Sequence, residues 1–150
     1  MTFSPFCFKN YISQCSSKNA IIGGNGRIGY LSPYRKQLTQ PHDVGLRKGL
    51  KVDFVGHLWC FKKDWLYYMF GTKPYTYDTG EDMHFCFSAK INGNIDSYVG
   101  EQLHVSTRCD LSNNMHAADK FASFRTTKKE LRIAVEQYWL DKGLKFIESN

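Results

Sequence analysis

Long apolar runs are missing from this 150-residue chain: no stretch approaches the roughly 18 residues that cross a bilayer, and no membrane span is expected. The five cysteines, Cys7, Cys15, Cys60, Cys86 and Cys109, contain no C-x-x-C pair and are odd in number. That argues against a zinc ribbon and a full disulfide framework, and points to reduced, mostly buried thiols in a cytoplasmic setting. No two of His42, His57, His84, His104 and His116 stand at the i, i+4 spacing of a helical zinc motif. There is no G-x-x-x-x-G-K-[ST] loop and no G-x-S-x-G elbow, so P-loop and serine-hydrolase chemistry have no footing. Internal repeats and low-complexity tracts are absent, and residues 1–8 lack the charged start of a secretory signal.

What remains is the composition of one ordinary globular domain spanning residues 1–150, with 42% hydrophobic and 23% charged residues. Aromatics stand out at 15%, supplied by 3 Trp, 9 Tyr and 11 Phe, large side chains that fill a core or stack on sugars and bases. The net charge of +6 favours anionic partners. The basic residues are scattered, however, with small clusters only at Arg35-Lys36, Arg47-Lys48 and Lys128-Lys129. A solvated surface with a basic bias fits that scatter better than a nucleic-acid stripe, and no specific nucleic acid is expected.

Along the chain, the spacing of Phe8, Tyr11 and Ile12 allows a short helix. Ala20-Ile21-Ile22, closed by Gly23-Gly24, reads as a buried strand entering a tight turn. Residues 31–50, with Pro33, Pro41, Gly45 and Gly49, read as a long loop. Residues 52–56 form a second strand that 58–61 extends, and a short helix follows through Trp65, Leu66, Tyr68 and Met69. After a turn-rich connector over 71–78, Asp78 or Thr79 caps a helix that Gly93 ends. Residues 95–99 alternate as a strand and 104–127 are irregular. Over 128–142 Leu131, Ala134, Val135, Tyr138 and Trp139 share one helical face, with Gly143 as the stop. The expected fold is α/β: a single domain, a mixed sheet with flanking helices.

Two local features bear on chemistry. Gly23-Gly24-Asn25-Gly26 is either a plain turn or a backbone cradle for phosphate, with Arg27 beyond it to meet the anion through its guanidinium fork. Glu81-Asp82 opens the helix after Gly80, where carboxylates suit the positive helix end. The pair either caps and solubilises that helix or presents a general base: an ionised oxygen held within reach of a hydroxyl proton.

Val52-Asp53-Phe54-Val55-Gly56-His57, followed by Trp59, Phe61-Lys62 and Trp65 and then by Gly80-Glu81-Asp82-Met83-His84-Phe85, resembles the C-terminal half of GT-A-fold glycosyltransferases of the family-two-like and exostosin-like kind. Residues 75–79, Gly93-Asn94-Ile95, residues 20–28 and the closing Tyr138-Trp139-Leu140 helix fit the same pattern, which covers roughly residues 10–145 and is most specific over 52–99. The resemblance implies a truncated GT-A fold, lacking its N-terminal nucleotide-binding half. It also implies transfer of a sugar from a nucleotide-sugar donor to a carbohydrate acceptor, a hexosyltransferase type of reaction. Asp82 would then be the base that deprotonates the acceptor hydroxyl, and Glu81 would orient either the acceptor or that base. Trp59, Trp65, Arg27 and His57 would bind substrate, with core packing the competing role for both tryptophans, and His104 would contribute a metal or phosphate contact.

Such enzymes hold Mn²⁺ or Mg²⁺ against the donor diphosphate with an Asp-x-Asp motif, because the leaving nucleotide gathers negative charge. This chain contains no Asp-x-Asp. The departure leaves open a truncated product, a domain completed by a complementary chain, and a non-catalytic remnant that binds a carbohydrate or a partner. A half-sheet with an open edge also invites a homodimer.

Overall fold

Glycines decide how the central strand is built. In a computed structural model that describes residues 5–29, 48–102 and 128–147, the run over Ile21–Arg27 is one continuous strand, β1. The tight turn expected at Gly23-Gly24 does not form, and neither does the phosphate cradle. A Cβ on Gly23 would lie 2.3 Å from Cβ of Val55, and one on Gly26 would lie 2.6 Å from a methyl of Val99. These glycines are therefore demanded by close approach of neighbouring side chains, not by a reversal of the chain. A register shift between Gly23 and Asn25 marks a bulge in the same strand.

Three further strands, β2 (Leu50–Val52), β3 (Phe54–Cys60) and β4 (Ser97–Val99), complete a four-stranded mixed sheet among the described residues, ordered β2-β4-β1-β3. β1 runs parallel to β4, with Ile21 opposite Ser97, and antiparallel to β3, with Arg27 opposite Phe54. β2 runs antiparallel to β4. The apolar run from Val52 is interrupted at Asp53, whose carboxylate accepts the backbone N–H groups of Gly29 and Ile147, each at 2.8 Å. Burial pushes the Asp53 carboxyl above its ordinary range against the opposing pull of those two donors. Neighbouring residues on opposite faces of one strand, Ile21 with Ile22 and Phe54 with Val55, are all buried, so the sheet is covered on both sides.

Helix α1 (Pro5–Lys18) turns Cys7, Tyr11, Gln14 and Cys15 inward and leaves Phe8 and Ile12 exposed, so only Tyr11 of the expected apolar trio enters the core. Its side chains fasten the end of β4. Gln14 Oε1 accepts the Glu101 N–H at 2.7 Å, while Gln14 Nε2 and Asn10 Nδ2 donate to the Glu101 carbonyl at 2.9 and 2.8 Å. A 3-10 turn at Lys63–Trp65 and the short α2 (Leu66–Phe70) follow β3 as expected.

Helix α3 (Glu81–Gly93) is buried along seven consecutive residues from Met83 to Ala89, the mark of a central helix. It packs on β3 through Phe87 against Phe54, centroids 5.6 Å apart, and just past the strand through Phe85 against Phe61 at 5.0 Å. Its N-cap is Gly80 in the left-handed region (φ 83°) and not Asp78 or Thr79, because the chain reaches the helix through a backbone geometry that glycine alone adopts at low cost. At the other end Gly93 remains helical and Asn94 supplies the left-handed cap.

Helix α4 (Lys128–Asp141) ends in a Schellman arrangement: Gly143 (φ 94°) donates to the Leu140 carbonyl at 2.9 Å and Leu144 donates to the Trp139 carbonyl at 3.0 Å. Gly143 thus stops the helix as the sequence suggests. The inward face is rotated from the expected one, however. Arg132, Val135, Glu136 and Trp139 are buried, whereas Leu131, Ala134 and Tyr138 are half-buried. Among the described residues no helix is long and apolar enough to cross a membrane. The loop expected over 31–50 and the irregular stretch over 104–127 lie almost wholly outside the described residues.

The thiols depart from the reduced reading. Cys15, Cys60 and Cys86 are free, Cys7 is disulfide-bonded, and Cys109 lies outside the described residues. A cytoplasmic setting, expected on reduced thiols, loses that ground.

Candidate functional site

The two carboxylates in the first turn of α3 take different environments. Glu81 is exposed. Asp82 lies half-buried between α3, β3 and α4, with its Oδ1 accepting the Met83 N–H at 2.9 Å and its Oδ2 2.9 Å from Arg132 Nη2. The side chains of this ion pair retain 15% and 8% exposure, so the pair is largely shielded from water. Arg132 Nη1 also reaches Thr79 Oγ1 at 3.5 Å, and its guanidinium stands 5.9 Å over the Phe54 ring. Gly56 of β3 lies beneath the carboxylate, where an added Cβ would sit 3.7 Å from Asp82 Oδ2.

The connector before α3 runs along α4. Tyr138 Oη donates to the Lys73 carbonyl at 3.4 Å, the Tyr75 and Tyr138 rings are 5.6 Å apart, and Lys128 Nζ donates to the Asp78 carbonyl at 3.0 Å. One turn into α3, His84 Nε2 lies 3.1 Å from the Met69 carbonyl and its ring tilts against Trp139 at 5.5 Å. Its Nδ1 and the Trp139 Nε1 are both buried, with no hydrogen-bond partner within distance among the described residues. Burial lowers the His84 pKa, opposed by backbone hydrogen bonds.

Of the residues expected from the sequence, Asp82 meets β3 at Gly56, the residue before His57; the side chain of His57 is not among those described. Trp59 is half-buried against Phe85, centroids 6.0 Å apart, and its Nε1 donates to the Val55 carbonyl at 3.0 Å. Trp65 is in the core at 8% exposure, with the Lys62 ammonium 5.2 Å from its ring centroid. Arg27 ends β1, half-buried, in register with Phe54. His104 lies outside the described residues. The residue that the sequence reading overlooked is Arg132. Its signal is an Arg and a Glu at i, i+4, Arg132 and Glu136, on the same helical stripe as Val135 and Trp139, a placement that requires a buried partner for each charge.

A cleft of about 200 Å³ opens elsewhere, between β2, β4 and the segment after α4, lined by Lys51, Asp53, Lys90, Asp96, Ser97 and Phe146 among others. Asp96 bridges Lys51 and Lys90 there, at 2.7 Å each. Burial pulls its carboxyl up, but the two ammonium groups outweigh that and hold it below the ordinary carboxylate range. None of the expected site residues that the structure describes lines this cleft.

Among the described residues no group of three His, Cys, Asp or Glu side chains gathers to hold a metal ion. The described residues thus offer no ligand set for the divalent cation that the resemblance implies, and no step below runs through one. No family model, curated protein or solved structure matches the chain.

Proposed function

We propose that the chain is a glycosyltransferase-like domain that carries the acceptor side of a sugar transfer, with Asp82 as the base for the acceptor hydroxyl. One observation carries this reading. The two sequence segments behind the resemblance, 52–57 and 80–85, converge in space, so that the Asp82 carboxylate rests on Gly56 at the start of α3. Arg132 orients that carboxylate through a charge-assisted hydrogen bond. Each carboxylate oxygen has two lone pairs, so one engaged with a donor still has another to accept a hydroxyl proton. Glu81, exposed on the preceding residue, is positioned to contact the acceptor. The donor is a nucleotide-sugar, and the acceptor is a carbohydrate.

A second reading, a carbohydrate- or partner-binding domain of the same architecture without transfer, is favoured by the engagement of both Asp82 oxygens in the ion pair and the helix start. Calorimetric titration with UDP, GDP and their sugar conjugates, with and without Mn²⁺, separates the two. Nucleotide-sugar binding, together with transfer abolished in Asp82→Asn, supports the first. Carbohydrate binding with no nucleotide affinity, unchanged in Asp82→Asn, supports the second.

A further inference from the structure

The end of α1 lies against the end of β3. Lys62 Nζ donates to Asn19 Oδ1 at 2.5 Å, the Ala20 N–H reaches back to the Cys15 carbonyl at 3.4 Å, and Cys60 stands opposite Ile22 in the β1–β3 register. This packing brings two free thiols into contact: Cys15 and Cys60 share a side-chain hydrogen bond. Cys15 is 4% exposed, whereas Cys60, on β3, the edge strand among those described, is half-buried. The remaining free thiol, Cys86, is fully buried in α3 and hydrogen-bonded to Ser97, with no thiol facing it among the described residues. Cys7, two helical turns before Cys15, is already disulfide-bonded.

We propose that Cys15 and Cys60 are an oxidation site that closes to a disulfide, with Cys60 as the thiol that meets the oxidant. With a small-molecule disulfide such as oxidised glutathione, the Cys60 thiolate attacks one glutathione sulfur. The glutathione S–S bond breaks, one glutathione thiolate leaves, and a mixed disulfide forms on Cys60. Cys15 then loses its proton and attacks the Cys60 sulfur, expelling the second glutathione thiolate. Two protein thiols are oxidised by two electrons while one glutathione disulfide is reduced to two thiols. The product adds a covalent tie between the last turns of α1 and β3 to the core packing and hydrogen bonds that already join them.

Chemistry sets the pace of closure. Burial, followed by the neighbouring Cys60, raises the Cys15 pKa to about 11, and burial raises Cys60 as well. Little thiolate is present at neutral pH, and closure accelerates as pH rises toward those values.

The test treats the purified full chain with oxidised glutathione at pH 7 and pH 9, alkylates it in denaturant, and maps the peptides by mass spectrometry without reduction. The expected result is a cross-linked species joining the Cys15 and Cys60 peptides, two hydrogens lighter than their sum, formed faster at pH 9 and lost on reduction. Cys15→Ser should then stop at a glutathione adduct on Cys60, while Cys86→Ser should leave the cross-link unchanged. The proposal is overturned if Cys60 holds glutathione while Cys15 is alkylated, if Cys60 pairs with another cysteine, or if both are recovered alkylated. The wild-type peptide map decides the matter even if a variant fails to fold, and none of it depends on sugar transfer.

Discussion

Arg132 Nη2 lies 2.9 Å from Asp82 Oδ2, which joins the inward stripe of α4 to the first turn of α3 and holds the helix start against β3. Because both side chains are largely shielded, losing the guanidinium leaves a carboxylate without its cation in a poorly hydrated place. Arg132→Met should lower unfolding free energy by about 3 kcal/mol, read from urea midpoints. Arg132→Lys, which keeps the charge and loses the fork, should cost less. Equal, small losses in both would show that water still reaches Asp82.

Glycine positions should divide by the space above them. Gly26→Ala places a methyl 2.6 Å from Val99 and 2.7 Å from Val52, and should destabilise by roughly 1–3 kcal/mol through overpacking. Gly56→Ala meets Asp82 at an ordinary 3.7 Å and should cost less than about 1 kcal/mol. Thermal melts of the two variants side by side provide the check, and a reversed order would contradict the strand assignment of residues 21–27.

His84 gives a dependence on acidity. Its folded pKa lies below the ordinary 6.5 because burial disfavours the charged ring. The unfolded chain therefore binds the proton more readily, so stability is fully present above pH 6.5 and falls as pH drops through that value. Replacing the ring with a group that does not titrate, as in His84→Gln, should flatten this part of the curve while lowering its plateau. The measurement is unfolding free energy from pH 7.5 down to pH 5 in both proteins. An unchanged slope would assign the acid sensitivity to other groups.

The bridge from Asp96 to Lys51 and Lys90 should contribute little despite its short distances. The two lysine side chains retain 43% and 37% exposure, so solvent and salt screen the attraction. Asp96→Asn should shift stability by less than about 1 kcal/mol, and the shift should shrink further in roughly 0.5 M salt because the exposed ammonium groups are screened.

The parts of the fold that were legible in the sequence are those fixed by local chemistry. Gly143 stops α4, carboxylates open α3, and the Val52 run is extended, because each follows from backbone propensity or the helix dipole acting within a few residues. The parts that were not legible depend on distant neighbours. Gly23-Gly24-Asn25-Gly26 has the composition of a turn, and only the crowding of Val55, Val52 and Val99 around it makes it a strand. The inward face of α4 is turned from its apolar stripe because Arg132, a residue that ordinarily faces solvent, is drawn inward by Asp82. The sequence singles out Asp82 at a helix start, but nothing local points to its partner fifty positions later.

The paired contacts of Gln14 with Glu101 make a side-chain amide imitate a rung of β-ladder. One amide both accepts from and donates to the backbone of a single residue, as a neighbouring strand would. The sheet pairing that passes from β1 to Gly100 is thereby continued by a helix, and the backbone of Glu101 is closed to any added strand. Release of α1 would reopen that edge, so the exchange rate of the Glu101 amide becomes a direct gauge of how firmly the helix is seated.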